Sequence, residues 1–465
     1  MSKSNILFFM TVCLMTISCQ GQNENKIPDA YPELKISGKK ISEIVSFFPD
    51  NQPGGTFLVT QNGQHIASGA QGKANLENDI NMKMNNIFNI ASVTKTFTAV
   101  AVFKMIEQGK ISLNDRISEY IVGFPEKGKD ITIGHLLSHS SGMGYSNDHQ
   151  EQYILKRNIK TKKDHAIAEY FKDEKFTSAP GIKYDYNNSA YMILGYIIEK
   201  VNNKTYEEYL EETFFKSLNM NNTKLDNLLE EIEGKAIGYD CLDGENYKIR
   251  NVSSKDSEFY SAGGLTSTVE DLSIWFEALM DYKIINESNL KKLTTPIRYK
   301  DDTYASNGYG VFTGSLNGKD YILHDGLDWG YGSIILYFPE TKLLIVHLRN
   351  CGYCKYDIGM SYGTPIKLAS TLLDCEYDLD YNINTKLIGA FKGSYQSPLS
   401  QEKKVIIEDG KKLYIESRFG MLPLMRISEY VYFVEKNNET ITFKKLKNNK
   451  MELISNKGIP IIFKK

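Results

Sequence analysis

Ser92 and Lys95 stand three residues apart in the run Ala91-Ser92-Val93-Thr94-Lys95-Thr96-Phe97-Thr98-Ala99. Residues at that spacing share one helix face, so the hydroxyl and the amine lie one turn apart. A hydroxyl is a weak nucleophile until a base takes its proton. A lysine amine can be that base once a dry, cation-rich cleft lowers its pKa enough to leave it neutral. The start of the helix adds unpaired N–H groups and the positive dipole end, which favour an alkoxide or oxyanion beside Ser92. The same spacing recurs at Ser37–Lys40, Ser288–Lys291 and Ser400–Lys403, where a solvated surface pair accounts for it. Context separates Ser92 from these. Val93, Phe97, Ala99, Val100, Ala101, Val102, Phe103, Met105 and Ile106 are apolar nearly all round, the pattern of a buried helix, ended by Gly109. An ammonium at the head of such a helix is costly without a partner.

Two further stretches supply what this pair lacks. In Pro180-Gly-Ile-Lys-Tyr-Asp-Tyr186-Asn-Asn188, a Tyr186 hydroxyl held near a lysine can relay the proton from the nucleophile to a leaving group. The Asn188 amide can orient the lysine and donate to a substrate carbonyl. Tyr145-Ser146-Asn147 repeats the Tyr-x-Asn spacing in a chain with 30 tyrosines. Tyr186 is preferred because a Pro-Gly turn leads into it and a buried helix from Ser189 leaves it. The third stretch is His324-Asp325-Gly326, at a strand end. Alternation puts His324 and Gly326 on one face and Asp325 on the other. Glycine there lets a substrate backbone approach the strand closely, and the Leu327 N–H can join that of Ser92 as an oxyanion hole. On residue type alone, a surface histidine beside a turn explains the same stretch.

Several elements must position these groups. Thr56–Gln61 and Gln64–Ser68 flank Asn62-Gly63, a two-residue hairpin signal. An amphipathic helix with Ile41, Ile44, Val45 and Phe48 on one side precedes them. A mostly helical stretch runs from about Leu113 to Leu228, with an amphipathic helix over Tyr206–Leu218. Ser267 and Glu270 form a capping box for the helix through Trp275. Strands follow over Tyr321–His324, Ser333–Phe338 and Leu343–Leu348, then a helix from about Pro365 to Leu373. Strands at both ends with helices between predict one sheet assembled from both termini beside a helical insert. Residues 376–386 read as a linker. Beyond Leu387, short strands separated by turns, including Asp409-Gly410 and Lys457-Gly458, predict a small antiparallel barrel or sandwich.

The chain has 465 residues, room for more than one domain. Its net charge of −2 carries no basic footprint for nucleic acid. Lys3 followed by an apolar stretch over Ile6–Ile17, too short for a stable membrane anchor, reads as a signal segment. Thr16-Ile17-Ser18-Cys19 resembles a bacterial lipoprotein cleavage site. Cys19 would become the lipidated first residue of an exported protein, periplasmic or at the cell surface, tethered through residues 20–34. Plain cleavage nearby is the alternative. Cys351-Gly-Tyr-Cys354 has no second pair and no nearby histidine cluster, which argues against zinc and leaves a local disulfide or free thiols.

The three stretches, in this order, resemble the serine β-lactamase and penicillin-binding-protein superfamily, most closely the class C β-lactamase-like branch, which also includes D-stereospecific peptidases and esterases. Ile133-Gly-His-Leu-Leu-Ser-His-Ser-Ser-Gly142 and Ser261-Ala-Gly-Gly-Leu-Thr-Ser carry the resemblance further, over roughly Ile41 to Asp374. It implies an α/β fold with an antiparallel sheet flanked by helices plus an all-helical region, over residues 35–375, followed by the small all-β domain at 387–465. Ser92 would be the acylated nucleophile, Lys95 the base, Tyr186 the general acid/base and Asn188 the positioning amide, with His324, Gly326 and Leu327 on the substrate. No metal or cofactor is implied, only a small-molecule or peptide substrate, and the sole membrane contact expected is the lipid anchor. Family members that act on β-lactams or trim D-Ala-D-Ala usually carry lysine where His324 stands. The expected activity is therefore that of a peptidase, amidase or esterase, with slight β-lactam turnover. A catalytically weak penicillin-binding or sensor protein is the rival reading.

Overall fold

The hairpin at Asn62-Gly63 opens the central sheet. In the computed structural model, strand β1 (Gly55–Gln61) turns back into β2 (Gln64–Gln71). Asn62 and Gly63 take φ values of 52° and 72°, the left-handed pair that a type I′ turn requires and that these two residues tolerate best. The structure describes short strands at 35–36 and 39–40, then residues 50–144, 167–168, 172, 176–226, 232–241, 246–249, 259–300, 307–354 (317 and 329 apart), 363–373 and, with short breaks, 389–465. The expected signal segment, Cys19, the tether, the helix at Ile41–Phe48, Tyr145-Ser146-Asn147, the linker and the turn at Lys457-Gly458 lie outside the described residues.

Helices occupy the middle of the chain. The longest are α1 (Thr94–Glu107), α2 (Asn188–Asn202) and α3 (Val269–Met280). The cap of α3 departs from expectation by one residue. Thr268, not Ser267, accepts the N–H of Asp271 at 3.2 Å, because Ser267 is still in a strand, paired with Phe88. The helix expected over Tyr206–Leu218 widens into a π segment at Glu211–Phe215. No described helix is long and apolar enough to cross a membrane.

The chain then returns to the sheet through β3 (Phe312–Leu316), β4 (Lys319–Asp328), β5 (Tyr331–Phe338) and β6 (Leu343–Arg349). Strand β6 pairs with β1 from Leu343↔Gln61 to Arg349↔Gly55, so the antiparallel order is β3-β4-β5-β6-β1-β2. Both ends of the segment do build one sheet. Alternation along β5 sends Ile335 and Tyr337 into the core shared with α1, α2 and α3. Ile334, Leu336 and Phe338 go to the opposite face, where α4 (Gly363–Leu372) contributes Ile366, Leu368 and Ala369. Burying both faces explains why β5 and β6 read as continuous apolar runs. The edge strand β3 was not expected, since Thr313, Gly314 and Ser315 break its apolar alternation.

The C-terminal strands form a separate nine-stranded antiparallel sheet. Its two outermost strands, Gly420–Pro423 and Met425–Arg426, are consecutive in the chain, so the sheet curls around its own core. That core includes Phe391, Tyr395, Tyr432, Phe443 and Phe463, with Phe391 and Phe443 stacked at 4.2 Å. Gly410 turns at φ 61° as Asp409-Gly410 predicts. Met425 leaves this core and is buried among Phe57, Leu323 and Ile366 of the first unit.

Candidate active site

Ser92 is presented by a 3-10 turn, Ala91–Val93, directly ahead of α1. Ala91 has a φ of 45°, which costs an L-residue about 1–2 kcal/mol. The turn is held from two sides. Asn89 Oδ1 accepts the Ala91 N–H at 2.8 Å, and Ser333 Oγ of β5 donates to Ile90 O at 2.7 Å. Ser92 itself is half-buried. Against α1 lies the strap 260–267: Leu265 N–H donates to Thr94 Oγ1 at 3.1 Å, and Thr98 Oγ1 donates to Ser261 O at 2.6 Å.

That strap determines the lysine's second contact. Lys95 Nζ donates to Ser92 Oγ at 3.0 Å and to Ala262 O at 2.6 Å. The side chain is fully buried. Burial lowers its pKa from 10.5 to about 7, with the Asp325 carboxylate acting against the shift, so a substantial share of the amine is neutral at neutral pH. Tyr186 and Tyr191 present their rings to the amine, with centroids 5.0 and 5.8 Å away. Tyr186 is half-buried and stacks on His139 at 4.3 Å. Asn188 is the first residue of α2, and its Oδ1 is buried with no hydrogen-bond partner among the described residues. The described acceptor that orients Lys95 is thus a backbone carbonyl rather than the Asn188 amide.

Strand β4 brings the third stretch to the same place. His324 is buried, and its Nδ1–H donates to Asp325 O at 2.7 Å, which leaves the Nε2 lone pair free to accept. Burial, then the Lys95 charge, pushes the His324 pKa down to about 3, so the ring is neutral over the physiological range. A Cβ on Gly326 would stand 2.4 Å from Ile90 O and 2.9 Å from Ser92 N. Only a glycine admits the nucleophile's turn this close to the strand. Leu327, half-buried, pairs with Gly332 at the next position.

Ser92, Lys95, Tyr186, Asn188, His324, Gly326 and Leu327 are thus drawn from the 3-10 turn and first residues of α1, the approach to and start of α2, and the end of β4. Sequence reasoning quoted the stretches containing Ala262 and His139 without assigning either a task. The glycine run after Ala262 and the Ser-Ser-Gly after His139 were the available signals. Among the described residues, no group of three or more His, Cys, Asp or Glu could hold a metal ion. Cys351 is disulfide-bonded.

Comparison with known proteins gives the family and the fold. The Beta-lactamase family profile matches residues 42–357, which contain all three stretches. Protein flp of Staphylococcus aureus (strain NCTC 8325 / PS 47) is 28% identical over 307 residues, 64% of this chain and 59% of flp. The chain therefore spans less than two thirds of that relative. Among solved structures, the octameric penicillin-binding protein homologue from Pyrococcus abyssi superposes with a TM-score of 0.60 and 25% identity, covering 91% of this chain and 98% of the homologue. The D-amino acid amidase from Ochrobactrum anthropi SV3 shares the fold at a TM-score of 0.57, with 21% identity over 72% of this chain and 97% of the amidase. With its sheet, its helical insert and the profile match agreeing, the chain belongs to the beta-lactamase family, within the superfamily of serine β-lactamases and penicillin-binding proteins.

Proposed function

We propose that this protein is an exported serine hydrolase that forms an acyl-enzyme at Ser92 with an amide or ester substrate. The carrying observation is the Lys95 amine, 3.0 Å from Ser92 Oγ and lowered to about 7 by burial. Neutral Lys95 takes the Ser92 proton as Oγ attacks the substrate carbonyl, and the Ser92 and Leu327 N–H groups receive the developing oxyanion. The proton passes by way of the Tyr186 hydroxyl to the leaving nitrogen or oxygen, the carbonyl–heteroatom bond breaks, and the amine or alcohol departs. Water then attacks the ester, giving up a proton by the same route, and the acid is released with Ser92 restored. Asn188 donates its amide to the substrate. Export, with lipidation at Cys19, rests on the N-terminal sequence.

His324 favours substrates without a carboxylate at that point. A buried ring held neutral offers no charge to a β-lactam or D-Ala-D-Ala carboxylate, whereas it accepts a hydrogen bond from a neutral or amine-bearing substrate. The name of the D-amino acid amidase accords with an amide substrate. The test is a panel of D- and L-amino acid p-nitroanilides, p-nitrophenyl esters and nitrocefin. The reading expects turnover of an anilide or ester and slight nitrocefin hydrolysis. Nitrocefin as the best substrate, or acylation without turnover of any member, contradicts it; the latter identifies a penicillin-binding or sensor protein.

A further inference from the structure

One histidine holds the stretch that carries Tyr186 at both ends. His139 lies just after the short helix Ile133–Leu137 and is 3% exposed. Its backbone carbonyl accepts the Asp185 N–H at 2.7 Å. Its Nδ1 accepts the Asn187 N–H at 3.0 Å. Between these anchors the Tyr186 ring stacks on the imidazole, centroids 4.3 Å apart and planes 30° from parallel. Three consecutive residues, 185 to 187, are thus fixed by one residue, and the middle one faces Lys95.

The anchor is itself fixed. Ser138 O, the preceding carbonyl, accepts from Tyr299 Oη at 3.0 Å and Asn307 Nδ2 at 3.2 Å. Tyr191 Oη donates to Leu137 O at 2.8 Å. His139 takes a φ of 55°, a left-handed conformation that persists in a non-glycine residue only where its surroundings over-determine it. A histidine that merely filled the core would need neither the strained backbone nor contacts on both sides of one tyrosine.

We propose that His139 is a positioning residue, clamping the Tyr186 hydroxyl against the Ser92–Lys95 pair through a neutral imidazole whose Nδ1 accepts from Asn187. The proposal rests on the reading of Tyr186 as the proton relay. The groups facing the ring are Lys95, His324, Tyr184, Tyr186 and Tyr191. Burial above all, then the Lys95 charge, holds its pKa well below the ordinary 6.5, which keeps the Nδ1 lone pair available wherever Lys95 can act as a base.

The test uses the full chain with two probes, p-nitrophenyl butyrate and D-alanine p-nitroanilide. Nitrophenolate leaves as an anion, whereas the anilide nitrogen must be protonated as it leaves, so only the second acylation needs the relay, and kcat/KM reads that step apart from the deacylation common to both probes. His139→Ala loses ring and acceptor. His139→Asn keeps an acceptor and tolerates the left-handed backbone. The proposal expects His139→Ala to lower kcat/KM on the anilide roughly 30-fold while that on the ester changes about 3-fold or less, and His139→Asn to recover most of the loss. On a Tyr186→Phe background neither substitution should cost anything more on the anilide. Equal losses on both probes, or full additivity with Tyr186→Phe, overturn it; if the alanine variant does not fold, His139→Gly, which loses the same ring and acceptor and adopts the left-handed backbone without strain, gives the same two readings. Should Tyr186→Phe leave anilide turnover intact, the relay reading fails and the proposal with it. Should Tyr186→Phe be anilide-selective while the His139 variants are not, the proposal alone fails. Nitrogen NMR of the imidazoles supplies a readout without substrate: His139 should be in the Nε2–H form at neutral pH, and a protonated Nδ1 there overturns the clamp.

Discussion

Replacing Lys95 by methionine should abolish activity and yet make the protein more stable at neutral pH. The folded chain holds this amine at a pKa of about 7 against an ordinary 10.5. Between those values the unfolded chain binds more protons, so the wild type gains stability as pH rises through that window. The penalty is fully present below the folded value and gone above the unfolded one. It amounts to about 4 kcal/mol at pH 7 and about 1 kcal/mol at pH 10. Methionine fills similar volume and removes the penalty, but it leaves Ala262 O without its described donor, at a cost of about 1–3 kcal/mol. Lys95→Met should therefore be more stable than wild type by about 2 kcal/mol at pH 7 and no more stable at pH 10. Urea unfolding of both proteins across this pH range measures the difference, in which the titrating groups that Lys95 does not touch cancel; His139 and His324, which its charge does affect, are neutral over this range. A difference that stays flat with pH would mean that Lys95 keeps its proton, and the reasoning about the base would be wrong. The same titration predicts that wild-type kcat/KM rises through about pH 7 as Lys95 becomes neutral.

Three other substitutions probe the frame around the site. Gly326→Ala puts a Cβ against two backbone atoms of the nucleophile's turn, and kcat/KM should fall by at least about 100-fold on whichever substrate is turned over. Met425→Ala removes the side chain that the C-terminal sheet adds to the buried cluster holding Phe57 and Leu323; denaturant unfolding should show a loss of about 2–4 kcal/mol. Thr268→Ala removes the cap of α3 and should cost about 1 kcal/mol in the same assay.

Much of the fold was written locally. The Asn62-Gly63 turn, the apolar run of α1 and the twice-buried strands β5 and β6 follow from residue type and period alone, and they emerge where the pattern places them. The misses share a physical cause. The cap of α3 shifted by one residue because Ser267 is committed to pairing with Phe88, a contact that sequence neighbours cannot report. Edge strand β3 escaped notice because it meets β4 only on one side and needs little apolar alternation. At the site, Ser92 and Lys95 stood apart from three other pairs of the same spacing through their apolar context, and Tyr186 and His324 through the order of their stretches. Ala262 did not, because its contribution is a carbonyl oxygen, which any residue supplies. His139 was hidden similarly: its contacts join segments 48 positions apart, and a lone histidine beside serines carries no period.

Everything proposed for the site depends on Ser92 being the nucleophile. Intact mass after incubation with a fluorophosphonate tests it most directly, since Ser92 Oγ would displace fluoride and retain the phosphonyl group. The wild type should gain one phosphonyl group and Ser92→Ala none. An adduct that persists on Ser92→Ala, or no adduct on folded wild type, would contradict it.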